Sequence, residues 1–148
     1  MSTFIKSLEE KKFSWQSYGE DQDKLYETLK ADKNKIKKLN GIFQTMDEIF
    51  WFLVQVGFKE NIRKSRDKEK KKDRAHINLM KPESEAVVTA IAFKQSGGDI
   101  SKFNDLITDV DRLRELIHEY HDGGATYVNE IIIYNRKTTI VDFINKYI

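Results

Sequence analysis

Between Thr45 and Gly57 the chain reads T-M-D-E-I-F-W-F-L-V-Q-V-G. Thr45 followed three residues later by Glu48 fits a capping box, in which hydroxyl and carboxylate each satisfy an orphan backbone N–H at a helix start. The apolar run Ile49 to Val54 then covers nearly the whole circumference of that helix. A helix with no polar face cannot lie on a surface, so it belongs in the middle of the core with other elements packed around it. The run is far too short to span a bilayer. At 148 residues the chain has the usual size of one domain. It can bury about two-thirds of its unfolded surface without a covalent staple.

The flanking segments supply the packing partners. There is one proline, Pro82, and the glycines fall at apparent boundaries, which favours helices with short connections. Residues 3–13 predict a first helix, continuing towards Trp15 and Tyr18 and ending near Gly19. A second starts at Asp21 or Asp23, carries Leu25, Tyr26, Leu29, Ile36 and Leu39, and stops at Asn40-Gly41. A fourth covers Glu83 to Gln95 and stops at Ser96-Gly97-Gly98. The fifth is capped by Asp99 or Ser101, places Phe103, Leu106, Ile107, Val110, Leu113, Ile117 and Tyr120 on one stripe, and ends at Gly123-Gly124. Alternation over His76 to Met80 and the β-branched and aromatic residues from Thr126 to Tyr134 predict two strands that pair. Thr138 or Thr139 caps a last helix. The expected fold is mainly α (α+β): five or six helices around a central apolar helix, with one small two-stranded β-ribbon. Residues 1–148 form a single globular domain with a flexible basic loop at about 60–75.

The absence of cysteine excludes disulfides, thiol catalysis and four-thiolate zinc sites. Glu9-Glu10 comes too early for the apolar region of a secretory signal, so the expected location is cytoplasmic. Net charge is +2, but it is unevenly spread. Residues 1–74 carry 18 basic and 13 acidic side chains, and residues 75–148 carry 8 and 11. The imbalance predicts one positive and one negative face.

The positive side is concentrated in N-I-R-K-S-R-D-K-E-K-K-K-D-R, Asn61 to Arg74. Arg63, Lys64, Arg66, Lys68, Lys70, Lys71, Lys72 and Arg74 are interrupted by Asp67, Glu69 and Asp73. Only Ile62 is apolar, so the run is expected to stay in water or against something negative. Lysine and arginine neutralise phosphates and release counterions, which gives sequence-independent affinity for nucleic acid. No aromatic residue interleaves the run, so base stacking of the single-strand kind is not expected. Lys30, Lys33, Lys35, Lys37 and Lys38 form a second cluster that could extend the same surface.

The segment Arg112 to Asp122, R-L-R-E-L-I-H-E-Y-H-D, offers other chemistries. Arg112 with His118, or Arg114 with His121, resembles the R-x(4–6)-H motif of HEPN-domain ribonucleases. That resemblance implies a histidine assisting proton transfer and an arginine stabilising charge on a phosphate. Both histidines also suit a helix end, where they complement the dipole. Glu115, His118 and His121 stand three residues apart, a spacing that lets two of them share a metal ion, although no second Glu-x-x-His exists to complete a site. The Gln95-Ser96-Gly97-Gly98-Asp99 turn lacks the lysine of a phosphate-binding loop and reads as a C-cap followed by an N-cap. The acidic row of Asp105, Asp109, Asp111, Glu115, Glu119 and Asp122 is a candidate docking face for a basic protein.

The reading that results is a non-enzymatic accessory or binding protein. It uses Arg63, Lys64, Arg66, Lys68, Lys70, Lys71, Lys72 and Arg74, with Lys35, Lys37 and Lys38, on nucleic acid or a nucleoprotein complex. No cofactor, metal or membrane is expected. The alternatives are a HEPN-like ribonuclease using Arg112 or Arg114 with His118 or His121, and a protein-binding adaptor or inhibitor acting through the acidic helix face.

Overall fold

The computed structural model describes residues 14–30, 43–66, 71–76 and 81–134. In chain order they form β1 (Ser14–Tyr18), α1 (Gly19–Leu29), α2 (Met46–Glu60), β2 (Lys71–His76), α3 (Pro82–Gln95), α4 (Ile100–Thr108) and α5 (Val110–Tyr134). The fold is mainly helical with one two-stranded antiparallel ribbon, as the sequence predicts. The proposed helix at 3–13, the last helix from Thr138, residues 77–80, and Lys35, Lys37, Lys38, Lys68 and Lys70 lie outside the described residues.

Helix α2 is the central element. Its N-cap is Thr45, whose Oγ1 accepts from the Glu48 N–H at 3.2 Å and donates to the Glu48 carboxylate at 3.2 Å. Ile49 to Val54 are all buried, together with Val56 and Gly57. The helix runs through Gly57 to Glu60, and Asn61 caps it in the left-handed conformation, which asparagine tolerates better than most residues. The principal partner is α5, which buries Leu113, Leu116, Ile117, Tyr120, Ala125 and Val128 against α2 and its neighbours.

The second helix is shorter than expected: α1 ends at Leu29, with Lys30 extended, well before Asn40-Gly41. Three further elements differ from the sequence reading. Gly123-Gly124 does not end a helix; it lies inside α5 where α5 crosses α2. A Cβ on Gly124 would overlap the Leu53 carbonyl, and one on Gly57 would overlap the Tyr120 carbonyl. The glycines therefore permit a backbone-to-backbone approach that no side chain would allow. Residues 126–134 consequently continue α5 instead of forming a strand, because packing against the core outweighs a β propensity of about 1 kcal/mol. The stripe from Phe103 to Tyr120 is two helices, not one. Asp109 breaks it at φ −90°, ψ 79°, and its carboxylate accepts from the Arg112 N–H at 3.2 Å to start α5.

The third difference is the ribbon. Residues 14–18 are not helical; they pair with Lys71–His76, Tyr18 opposite Lys71 and Ser14 opposite His76. An isolated hairpin-sized ribbon is marginal. This one is held by Trp15, which is fully buried and meets the rings of Phe50 and Trp51 at 5.7 and 5.3 Å. On the other side of α1, the Phe43 N–H donates to the Leu29 carbonyl at 3.2 Å.

Candidate nucleic-acid interface

The basic run does not behave as one solvated segment. After Asn61 the chain lies along α5: the Ile62 N–H donates to Gly57 and the Lys64 N–H to the Glu119 carbonyl, at 2.9 and 3.0 Å. Gly123 makes room, because a Cβ there would overlap the Ile62 carbonyl. The run then reaches Arg66, whose side chain is only 10 % exposed. Its guanidinium forks onto Asp122, Nε to Oδ2 at 2.6 Å and Nη2 to Oδ1 at 2.9 Å, and Nη2 also donates to the Gln16 carbonyl.

Asp122 is itself held on three sides. Gln22 Nε2 donates to Oδ1 at 2.9 Å, and His121 Nδ1 lies 2.8 Å from the same oxygen. Tyr26 Oη stands 2.6 Å from His121 Nε2. Burial lowers the His121 pKa from its ordinary 6.5, only partly opposed by Asp122, and burial raises that of Tyr26 well above 10.0. The consistent assignment is a neutral imidazole that donates from Nδ1 to Asp122 and accepts from the Tyr26 hydroxyl at Nε2. Burial alone would raise the Asp122 carboxyl, but hydrogen bonds from His121 and Arg66 outweigh it and hold the group below 3.8.

Arg74, on β2, is the second internal cation. It is 8 % exposed, donates to Ser17 Oγ at 2.8 Å and Asp23 Oδ1 at 2.7 Å, and lies 4.2 Å over the Tyr26 ring. Of the two placements expected for the run, in water or against something negative, Arg66 and Arg74 take the second, held inward by the protein's own carboxylates. Arg63, Lys64 and Lys71 are exposed. Arg63 reaches Gln95 Oε1 at 3.2 Å and the face of Tyr120.

A cleft of about 320 Å³ opens between β1, the segment at Ser65-Arg66, and α5. Gln16 organises it through all four of its polar groups. Its N–H donates to His118 Nε2 at 3.0 Å, its carbonyl accepts from Arg66, its Oε1 accepts from Arg114 at 3.4 Å, and its Nε2 donates to Asp73 at 2.9 Å. Burial, and then the positive charge of Arg66, Arg114 and Lys71, hold His118 well below 6.5. Burial and repulsion from Arg66 also lower Arg114.

The structure brings one member of each arginine–histidine pair, Arg114 and His118, to this cleft and leaves the other member of each outside it. Arg112 turns to Glu115 and Glu119 at 3.3 and 3.7 Å. His121 is fully buried with both ring nitrogens engaged, so it offers no nitrogen to a metal or a substrate. Among the described residues no group of three or more histidines and carboxylates could hold a metal ion. Asp122 leaves the acidic face, since it is 3 % exposed. Asp105, Asp109, Asp111 and Glu115 remain exposed on α4 and α5. Sequence reasoning missed Gln16, Gln22, Tyr26 and Asp23; the only signal was that buried arginines need carboxylate partners, and the sequence does not show which arginines are buried.

Residues 17–147 match the model of a protein family described as DNA sulphur modification system-associated protein 4. The chain belongs to this family. No curated protein and no solved structure matches it. Membership of a family associated with a DNA sulphur modification system makes the chain an accessory protein of such a system. Among the described residues no helix is long and apolar enough to cross a membrane.

Proposed function

We propose that the chain is a non-catalytic accessory protein that holds the DNA of its modification system through the outward-facing part of its basic tract. The observation that carries this is the division of that tract. Arg66 is fixed to Asp122 and Arg74 to Asp23, while Arg63, Lys64 and Lys71 are exposed. The fixed arginines anchor the chain on either side of Asp67-Lys68-Glu69-Lys70. Lys64 beside the anchors and Lys71 between them are exposed to meet phosphate. Anchoring at both ends lowers the entropy lost when lysines engage a duplex, and the contact has no sequence preference because it reads only the backbone. The association of the family with DNA modification supports nucleic acid as the partner.

The test is the binding of fluorescent duplex DNA by the wild-type chain and by Lys64→Glu/Lys70→Glu/Lys72→Glu over a range of salt. Wild-type affinity should fall by about 0.9 log units per log unit of salt for each phosphate contacted. The triple variant should bind more weakly with a shallower slope. An unchanged slope would remove the tract from the interface.

A further inference from the structure

The cleft behind the tract has a chemistry of its own. Three cations meet there: Arg66 and Arg114, both hydrogen-bonded to Gln16, and Lys71 at the start of β2. Asp122 pairs with Arg66, so the cations that would meet a bound anion are Arg114 and Lys71. His118, in the same cleft, is held well below 6.5 first by burial and then by the charge of these cations. On α5 a second row runs beside Arg114 and His118. Asp111, Glu115 and Glu119 stand four residues apart and line the same cleft, so they share one helix face. The cleft is thus lined by both cations and carboxylates. Its size of about 320 Å³ is within the range of small-molecule sites.

We propose that this cleft binds the phosphate ester of a nucleotide, free or within a DNA strand, with Arg114 and Lys71 on the phosphate and the carboxylate row accepting from sugar hydroxyls or base amino groups. A bare polyanion would be repelled by that row, whereas a nucleotide carries an anion and hydrogen-bond donors a few ångströms apart. Guanidinium groups suit the phosphate because they present donors in a fork that matches its oxygens. The site does not depend on DNA binding by Lys64, Lys70 and Lys72.

The Gln16 backbone N–H, which donates to His118, reports on the cleft by NMR. Deoxyadenosine monophosphate, deoxyadenosine, inorganic phosphate and a short DNA duplex are titrated in turn, against wild type, Arg114→Gln and the exposed-site variant Lys71→Gln, each checked for folding by circular dichroism. The expected result is a Gln16 shift with the monophosphate but not the nucleoside, with affinity about tenfold lower in Arg114→Gln and reduced to a lesser extent in Lys71→Gln. A shift with the duplex alone, weakened in the same two variants, assigns the site to phosphate within DNA. Binding of inorganic phosphate as tightly as the monophosphate overturns the nucleotide assignment. No Gln16 shift with any phosphate-bearing probe, or equal shifts in both folded variants, overturns the site.

Discussion

Arg66 and Asp122 show how a charged residue in a hydrophilic run becomes structural. Their side chains are 10 % and 4 % exposed, so each depends on the other for the solvation it has lost. Removing one partner of a buried pair strands the other, a loss of about 3–5 kcal/mol. Asp122→Ala should therefore lower the midpoint of urea unfolding by that equivalent, whereas Lys64→Ala on the exposed side of the same run should stay within about 0.5 kcal/mol. The pH dependence follows from the neighbouring histidines. His118 and His121 both have native pKa values below 6.5, so between 6.5 and those lower values the unfolded chain binds more protons than the folded one. Stability is complete above pH 6.5 and declines as pH falls below it. Asp122, depressed below 3.8, adds a further loss at lower pH. Thermal melts from pH 7.5 to 5 should show a falling Tm, and NMR should find both imidazoles titrating below 6.5. A Tm independent of pH over that interval would contradict the assignment of neutral, buried rings. None of this was legible in the residues themselves. His121-Asp122 reads as an ordinary helix end, and Arg66 looks like the lysines around it until the fold places a carboxylate beside it.

Elements were legible where the pattern depends on local chemistry and illegible where it depends on a partner. The Thr45 hydroxyl cap and the all-round apolar face of α2 are local, and both are found as read, although the Glu48 carboxylate accepts from the Thr45 hydroxyl. Pro82 to Gln95 and its stop at Ser96 are local too. Gly123-Gly124 carries the same local signal as a helix terminus, but what decides it is the Leu53 carbonyl lying across it. The crossing gives a sharp expectation. On a helix surface, glycine to alanine gains about 1 kcal/mol in propensity. At Gly124 the added methyl meets backbone that cannot rotate away, so Gly124→Ala should instead cost about 1–3 kcal/mol or more, as overpacked cores do. Equilibrium unfolding of this variant decides the sign; a gain in stability would mean the two helices can slide apart freely. Trp51 and Phe52, 4 % and 6 % exposed on the same central helix, should each cost about 3–5 kcal/mol on truncation to alanine. Fluorescence-monitored denaturation of Phe52→Ala measures it without losing the tryptophan signal.

At the scale of the whole molecule, the basic tract joins the two things the protein must do: stay folded and present charge. The ribbon could not stand alone, yet it is fixed at one end by Trp15 in the core and along its length by Arg74 and by Gln16 on His118. The same ribbon fixes Lys71 at the mouth of the cleft. One sequence run therefore contains two populations of cations, and mutation should separate them. Arg66→Gln and Arg74→Gln remove internal partners of Asp122 and Asp23, so their Tm should fall by several degrees, since about 1 kcal/mol corresponds to about 2–4 °C in a chain of this size. Lys64→Gln and Lys71→Gln should melt with the wild type. In DNA titrations at temperatures where all four variants are folded, the order should invert: the lysine variants lose affinity and salt dependence, and the arginine variants keep the salt slope of the wild type, because a guanidinium already neutralised by a carboxylate releases few counterions. If the arginine variants lost salt slope while retaining wild-type Tm, the ion pairs to Asp122 and Asp23 would be dispensable, and Arg66 and Arg74 would belong to the DNA surface after all.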